Sequence, residues 1–405
     1  MRTAMVLSGG GARGAYEAGV LSYLMEEVYP KLPPTFEFDI VSGTSVGAIH
    51  AGFLAASAGL DPAVRSRALL ETWSGMVLDD VLRLRTTDWF GIPMRALGVS
   101  ALLRGRRDGD EADLIGGLVD VTPLERLVEE RIPWGSLRRN LDAGRPRTLC
   151  VACTDIHTGL VTVFVDGGDA DTSAWEGDPS AQAIPTPITS RHVRASAAIP
   201  FLFPAVRIGK SYYLDGGLRV NTPLSPALRL RADKVVVVGL KCAPSKQAPS
   251  VEAEDAITQP AFLFGKMLNV LILDQLEHEL RRLDTINTLL GAAAETAGTD
   301  CRDAITEAIV AKRGVEYRPV QTVVVRPSQD IGAIAADAYH EGRRSARSRG
   351  LLASLLARSA LRGVPRDEAD LFSYLYFDGT YTEPLIELGR HDAREQKDEI
   401  LALLT

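Results

Sequence analysis

The amino-acid sequence predicts an α/β protein whose mainly parallel sheet is covered by helices on both faces. Apolar runs at residues 4–7, 234–240 and 320–325 lack polar alternation, which is typical of strands buried on both faces. These runs alternate along the chain with segments of helical periodicity. The 405 residues are 46% hydrophobic and 24% charged, as expected of a folded globular chain.

Net charge and cysteine usage limit the classes of partner. With 45 basic and 52 acidic residues the net charge is −7, so we expect no general attraction for nucleic acid or for an anionic membrane. Two of the four cysteines, Cys150 and Cys153, lie in a predicted strand, where residues three apart point to opposite faces. We therefore expect neither a disulfide framework nor a metal or redox site.

The N-terminal residues carry no recognisable targeting signal. The apolar run within residues 1–8 ends in glycines and is too short for the core of a signal peptide. No window approaches the roughly 18 apolar residues of a transmembrane helix. The sequence thus predicts a cytoplasmic protein and leaves peripheral membrane contact open.

The first predicted unit, within residues 4–28, is a strand, a glycine-rich loop and a helix. Gly9, Gly11 and Gly14 match the G-x-G-x-x-G pattern of dinucleotide-binding proteins. That fingerprint also needs an acidic residue at the end of the second strand, whereas Asp39 lies inside the predicted second strand. We therefore favour an oxyanion hole, in which free N–H groups at a helix start face developing negative charge. Nucleotide binding is the alternative from another class.

The second predicted strand, residues 36–41, runs into a G-x-S-x-G pattern. Gly43 and Gly47 flank Ser45 at a distance of two residues on each side, and a helix rich in small residues continues to residue 58. Small flanking residues allow a tight strand-to-helix turn that lifts the serine hydroxyl out of the sheet. Ser45 is therefore the predicted nucleophile.

The rest of the chain continues the alternation of strands and helices. We predict helices at 61–75, 118–140, 193–204, 260–290, 332–346, 350–361 and 392–404, strands at 148–153, 159–166, 211–215, 234–240 and 320–325, and a polar loop at 167–189. Thr122 and Glu125 form a capping-box pattern at one helix start. The apolar first half of helix 260–290 is interpreted as core, with lipid contact as the alternative.

Residues 76–115 differ in composition from the segments around them. Apolar, aromatic and basic residues are mixed there. Such a mixture suits a segment that caps a cleft or faces a membrane surface. An ordinary surface excursion folded onto the core is the alternative.

The serine needs a base that accepts its proton. A histidine in the order Ser-Asp-His is the usual expectation, but only one strand–helix unit precedes Ser45, so the common α/β-hydrolase layout fits poorly. A partly desolvated aspartate can serve instead, because burial raises its pKa. Of the three Asp-Gly turns, at Asp166, Asp215 and Asp378, we choose Asp215, since it follows a compact strand and leads into Asn221-Thr-Pro.

Four motifs in this order resemble those of the patatin-like phospholipases. They are Gly9-Gly10-Gly11-Ala12-Arg13-Gly14, Gly43-Thr44-Ser45-Val46-Gly47, Ala195-Ser-Ala-Ala-Ile-Pro200, and Asp215-Gly216-Gly217 with Asn221 and Pro223. Together they are far more specific than any one of them. The resemblance implies a three-layer α/β/α fold, a Ser-Asp dyad without histidine, and hydrolysis of lipid esters with no metal or cofactor.

The resemblance also implies a role for each matching residue. Ser45 is the nucleophile, Asp215 the general base and acid, and the backbone N–H groups of Gly10, Gly11 and Ala12 the oxyanion hole. Arg13 either meets a lipid phosphate or braces the loop. Further supporting residues are Gly9, Gly14, Gly43, Gly47, Gly216 and Gly217.

The expected substrate is a phospholipid or lysophospholipid, and the alternative is a neutral lipid or a general carboxylic ester. We expect residues 1–330 to form the hydrolase domain, with 241–330 completing the sheet. Residues 331–405 are expected to form a mostly helical C-terminal extension of unassigned role. The oligomeric state is not predicted.

Overall fold

A computed structural model describes most of the chain. It covers residues 1–83, 114–115, 119–168, 171–200, 202–219, 224–242, 275–313, 316–344 and 370–405. Several expectations fall outside these residues. They are the excursion within 84–113, the first half of helix 260–290, the helix at 350–361, and Asn221 and Pro223.

Within the described residues, ten strands form one mixed sheet. They are β1 (Thr3–Leu7), β2 (Ile40–Thr44), β3 (Leu114–Ile115), β4 (Thr148–Asp155), β5 (Val161–Asp166), β6 (Ala181–Pro185), β7 (Ala205–Ile208), β8 (Ser211–Asp215), β9 (Lys234–Val238) and β10 (Gln321–Val325). Their order is β10-β9-β1-β2-β4-β8-β7-β3, with β5 and β6 branching from β4. The block from β10 to β4 is parallel, which confirms the mainly parallel sheet, and β4 pairs with β5 and β8 antiparallel.

Helices cover the sheet. In chain order they are α1 (Gly14–Tyr23), α2 (Val46–Ser57), α3 (Pro62–Ser74), α4 (Thr122–Arg131), α5 (Trp134–Asp142), α6 (Ser190–Ser196), α7 (Leu224–Arg229), α8 (Gln275–Ala297), α9 (Thr299–Arg313), α10 (Ile331–Arg344), α11 (Asp370–Leu375), α12 (Gly379–Glu395) and α13 (Lys397–Leu404).

The side chains of β1 show why the fold has three layers. Met5 and Leu7 belong to a core that includes α1, α2 and the C-terminal helices, whereas Ala4 and Val6 point into a second core with α7 and α8. Alternate residues of a strand face opposite sides of a sheet, and both sides of β1 are apolar. The sheet is therefore covered on both faces, as the sequence predicts.

Several predicted elements have different bounds in the structure. The region 118–140 contains two helices, because Pro133 separates α4 from α5. The loop predicted at 167–189 contains β6, and the helix predicted at 193–204 is the shorter α6 followed by β7. The prediction of a capping box at Thr122 is wrong. The Thr122 hydroxyl and N–H both donate to Asp120, and the Thr122 side chain does not cap α4.

The C-terminal helices pack directly on the first helix of the chain. A Cβ at Gly19 of α1 would overlap the carbonyl oxygen of Ile386 in α12, and one at Gly389 would overlap that of Tyr16. The Asp392 carboxylate accepts a hydrogen bond from the Tyr16 hydroxyl at 3.1 Å. Glycines on both helices therefore let α1 and α12 approach backbone to backbone.

Two expectations about membranes and cysteines can be compared with the described residues. No helix among them is both long enough and apolar enough to cross a bilayer. Cys150 and Cys153 lie in opposite cores, and burial raises the pKa of both thiols. In the same residues, no group of three or more His, Cys, Asp or Glu side chains is arranged to hold a metal ion.

Candidate active site

Ser45 stands on a strained turn between β2 and α2. Its backbone has φ 55° and ψ −124°, a conformation that non-glycine residues seldom adopt and that costs about 1–3 kcal/mol. A Cβ at Gly43 would overlap the carbonyl oxygen of Gly47, and one at Gly47 would overlap that of Leu7. Both glycines of the pattern are thus required by close backbone contacts at the sharp turn.

A second serine holds this turn in place. The Ser45 backbone N–H donates to the Ser196 hydroxyl at 2.9 Å, and the Ser196 hydroxyl donates to the carbonyl oxygen of Ala152 in β4 at 2.6 Å. Ser196 is fully buried at the end of α6. Ser196 lies in the motif Ala195–Pro200, and no local signal in the sequence indicated this role.

Strand pairing brings Asp215 to the end of β2. Thr44, the last residue of β2, pairs with Ala152 of β4, and Asp215, the last residue of β8, pairs with the next residue, Cys153. Because β5 occupies the other edge of β4, β2 and β8 share one edge. Ser45 and Asp215 therefore meet where the two strands end head to head.

The environment of Asp215 makes its charged form less favourable than in water. Burial raises the pKa of this carboxyl from 3.8 to about 6, against the opposing effects of the Ser45 side chain and the Gly217 N–H. The Gly217 N–H donates to Oδ1 at 2.7 Å. Oδ2 is buried and makes no hydrogen bond of normal geometry within the described residues. A carboxylate with a free oxygen and a pKa near 6 is suited to accept a proton from a neighbouring hydroxyl.

The glycine-rich loop lies beside the Ser45 turn. β1 and β2 are parallel neighbours, with Leu7 opposite Gly43, so the loop after β1 and the turn after β2 leave the same edge of the sheet. None of the described residues accepts a hydrogen bond from the backbone N–H of Gly10, Gly11 or Ala12. These three donors are consequently available at the start of α1.

Arg13 points away from solvent. Its side chain is 3% exposed, its Nε donates to the Ser373 hydroxyl at 2.8 Å, and its guanidinium lies 4.2 Å from the centre of the Tyr374 ring. These contacts favour the bracing role over contact with a lipid phosphate.

An apolar cavity of 70 Å³ begins at Ser45 and Gly11. Apart from the polar groups His50, Thr72 and Arg131, its other walls are almost entirely apolar or aromatic. They include Ile49, Phe53, Leu69, Trp73, Met76, Leu124, Leu127, Val128, Ile132, Ile199, Phe203, Tyr374, Leu375 and Phe377. Such a lining suits a hydrocarbon chain attached to the group that Ser45 attacks.

Both ring nitrogens of His50, the histidine in this cavity, are already engaged. Nδ1 lies 2.5 Å from the Glu17 carboxylate, and Nε2 accepts a hydrogen bond from the Trp73 indole at 2.8 Å. His50 therefore has no free nitrogen to accept the Ser45 proton. The second oxygen of Glu17 accepts the Ser8 N–H at 3.0 Å, which ties the glycine-rich loop to α2.

Glu17 was missed by the sequence analysis. It is fully buried in α1, and no other residue of this helix is charged. A charged side chain within an otherwise small and apolar helix was the available signal. Burial raises the pKa of its carboxyl, while the contact with His50 lowers it.

The competing histidine and aspartates have structural partners. Asp166 accepts from Arg138 and from the Ile188 N–H, and Asp378 caps α12. The His192 Nδ1 accepts the Thr189 N–H, and burial lowers the pKa of this histidine to about 4. None of these side chains lines the cavity at Ser45.

The position of Asp39 does not favour nucleotide binding. Asp39 precedes β2, so the expectation that it lies inside the strand is wrong. Its carboxylate accepts from the Thr3 N–H at 2.8 Å and pairs with Arg147. Asp39 is thus at the end of the sheet opposite the glycine-rich loop, too far to hold a ribose bound there.

Three further motif glycines, Gly10, Gly14 and Gly216, are also closely packed. A Cβ at Gly14 would overlap the side chain of Val46, and one at Gly216 would overlap the Ala152 carbonyl oxygen. Gly10 faces the side chain of Leu240, 2.5 Å from where a Cβ would stand.

Comparison with known proteins gives a family match over the region that contains the glycine-rich loop, Ser45 and Asp215. A family model described as patatin-like phospholipase matches residues 5–228. The chain is 27% identical over 271 residues to the uncharacterized protein YqhO of Bacillus subtilis (strain 168), covering 65% of this chain and 79% of that protein.

Two solved structures are similar to this chain at low identity. VipD from Legionella pneumophila is 15% identical with a TM-score of 0.32, over 95% of this chain and 66% of that one. Human GIVD cytosolic phospholipase A2, in complex with methyl gamma-linolenyl fluorophosphonate, is 13% identical with a TM-score of 0.40, over 100% of this chain and 58% of that one. The chain spans less than two thirds of either protein.

Proposed function

The chain belongs to the patatin-like phospholipase family, and we propose that it hydrolyses carboxylic esters of phospholipids or lysophospholipids through a Ser45–Asp215 dyad. The observation that carries the proposal is the buried Asp215 carboxyl at the Ser45 turn, with a pKa of about 6 and an oxygen without a hydrogen bond. The apolar cavity that begins at Ser45 supports a lipid substrate.

In the proposed first half-reaction, Asp215 takes the proton of the Ser45 hydroxyl while Oγ attacks the ester carbonyl carbon. The N–H groups of Gly10, Gly11 and Ala12 donate to the resulting oxyanion, each worth roughly 3–4 kcal/mol in such sites. The ester C–O bond then breaks, and Asp215 returns its proton to the departing alcohol. The product is an acyl-Ser45 intermediate.

Water completes the cycle. Asp215 accepts a proton from a water molecule as its oxygen attacks the acyl carbon, and the same oxyanion donors hold the second tetrahedral intermediate. Collapse releases the fatty acid and returns the proton from Asp215 to Ser45 Oγ. Every proton in both half-reactions passes through Asp215, and the scheme requires no metal or cofactor.

Substitution of the dyad tests this mechanism. We expect Ser45→Ala and Asp215→Asn each to lower kcat/KM for a phospholipid by about 10³-fold or more, because each removes a required proton or bond partner. The exposed His157 supplies the control, and His157→Ala is expected to keep most of the activity. Loss of activity in His157→Ala equal to that in Ser45→Ala would contradict a dyad without histidine.

A panel of lipids tests the substrate class. Purified protein is given phospholipid, lysophospholipid and triacylglycerol in matched mixed micelles, with release of fatty acid as the measurement. We expect turnover to be faster for the two phosphate-containing lipids. Equal or faster turnover of triacylglycerol would favour a neutral-lipid lipase or general carboxylesterase with the same dyad.

A further inference from the structure

The C-terminal part of the chain contributes to the cavity at Ser45. Tyr374, Leu375 and Phe377 line it together with Ser45 and Gly11. We call residues 373–377 the C-terminal wall. These residues lie far beyond the region 5–228 that the family model matches.

Contacts with the glycine-rich loop fix one end of the C-terminal wall. The carbonyl oxygen of Tyr374 packs so closely on Gly11 that any side chain there would overlap it, and Gly11 has a positive φ of 56°. Arg13 bonds to Ser373 and stacks on Tyr374 in the buried interior. The wall is therefore held against the proposed oxyanion donors.

Aromatic packing fixes the other end of the C-terminal wall. The Phe377 ring is stacked on Trp73 of α3, with 6.4 Å between ring centres and an angle of 18°. Tyr376 stacks on Tyr381 of α12, and the Tyr381 hydroxyl donates to the Ser373 carbonyl oxygen. Since α12 packs backbone to backbone on α1, the wall is a fixed boundary of the cavity.

The cavity bounded by the C-terminal wall is small. Its 70 Å³ is well below the roughly 300–1,000 Å³ of a typical ligand pocket. A long hydrocarbon chain needs more space, and well-packed aromatic walls resist displacement. Phe377, stacked on Trp73, forms part of the boundary of this small space.

We propose, on the basis of the proposed function, that the C-terminal wall limits the length of the acyl chain that Ser45 accepts, with Phe377 as the specificity-determining residue. The ring of Phe377 occupies space that a longer chain would need. Removing it enlarges the cavity next to Trp73 without altering Ser45, Asp215 or the oxyanion donors.

Chain-length profiles of Phe377→Ala test this inference. We would measure kcat/KM of the full-length protein for p-nitrophenyl esters from butyrate to palmitate. The ratio of palmitate to butyrate is expected to rise by about 10-fold or more, since each methylene accommodated in an apolar pocket is worth about 10-fold or more in kcat/KM. Leu375→Ala, at a half-buried position of the same wall, is the second variant should Phe377→Ala fail to fold.

Phe372→Leu is the matched control. Phe372 is buried in the same segment and stacks on Tyr376, but it does not line the cavity. We expect the palmitate-to-butyrate ratio of kcat/KM in Phe372→Leu to equal that of the wild type. An unchanged ratio in the folded wall variant, or an equal rise in Phe372→Leu, would overturn the inference while leaving the function intact. If the wild type and Ser45→Ala hydrolysed all esters equally slowly, the proposed function itself would be rejected, and this inference with it.

Discussion

At the scale of single residues, the burial of Asp215 has two opposed effects, one on stability and one on its pKa. Its carboxyl is 2% exposed, and burial makes the charged form unfavourable. The same burial brings its pKa close to the range in which a base works at neutral pH. A residue tuned in this way is expected to cost the folded protein stability.

The pH dependence of stability tests this cost. The folded-state pKa of Asp215, about 6, lies above the ordinary value of 3.8, so the unfolded chain releases this proton at lower pH than the folded one. Stability therefore falls as pH rises from about 4 to about 6, by about 3 kcal/mol in total. Because Asn cannot ionise, Asp215→Asn should be the more stable protein at about pH 8 in urea unfolding.

Asp166→Asn is the control variant for the predicted stability of Asp215→Asn. Asp166 is paired with Arg138, so the loss of its charge should lower stability at the same pH. Should Asp215→Asn unfold at lower urea concentration than the wild type at about pH 8, the assigned effect of burial would be wrong.

At the scale of elements, the unit formed by β2, the Ser45 turn and α2 depends on backbone contact. Gly43 at the end of the strand touches the first turn of the helix, and Gly47 in that turn touches the end of β1. Neither position has space for a methyl group. The strained φ of Ser45 persists because packing on both sides determines it.

Gly43→Ala should therefore damage both stability and activity. The added Cβ would overlap the Gly47 carbonyl oxygen, and moving backbone apart in a packed core costs about 1–3 kcal/mol or more. We expect a lower free energy of unfolding and loss of esterase activity. Gly135→Ala in α5 is the control, since nothing lies within 4 Å of its Cβ position, and it should be neutral or slightly stabilising. Wild-type activity in Gly43→Ala would contradict the tight turn.

At the scale of the whole molecule, the C-terminal helices share the core of the sheet. Tyr381 and Leu385 of α12 are fully buried in the same core as Met5 of β1. The Asp392 carboxylate joins the Tyr16 hydroxyl to Ser328, which donates to it at 2.6 Å. Although the sequence suggested an extension, we propose that α12 folds together with the sheet.

Gly389→Ala tests whether α12 folds together with the sheet. The added methyl would overlap the Tyr16 carbonyl oxygen, so we expect the free energy of unfolding to fall by about 1–3 kcal/mol in a single transition, with coincident curves from circular dichroism and tryptophan fluorescence. Gly291→Ala in α8, where nothing lies within 4 Å, is the control. A separate early transition in Gly389→Ala would mean that the C-terminal helices unfold independently.

The sequence alone predicted the features that depend on neighbouring residues. The buried strands, the G-x-S-x-G turn and the glycine-rich loop are each encoded within a few positions, because backbone conformation and burial pattern are local properties. The choice of Asp215 needed more, namely a comparison of three Asp-Gly turns by the compact strand that precedes Asp215 and the Asn221-Thr-Pro segment that follows it. Bounds failed where local signals were weak, as at β6.

Only the tertiary structure decided which distant groups meet. Asp215 lies beside Ser45 because β8 continues the edge of β4 that β2 leaves, and strand pairing of this kind leaves no local signal in the sequence. The bond between Glu17 and His50 and the contact of Tyr374 with Gly11 likewise join segments that are 33 and 363 residues apart. Such contacts arise from packing of segments far apart in the chain, and they place a short serine motif beside an apolar cavity.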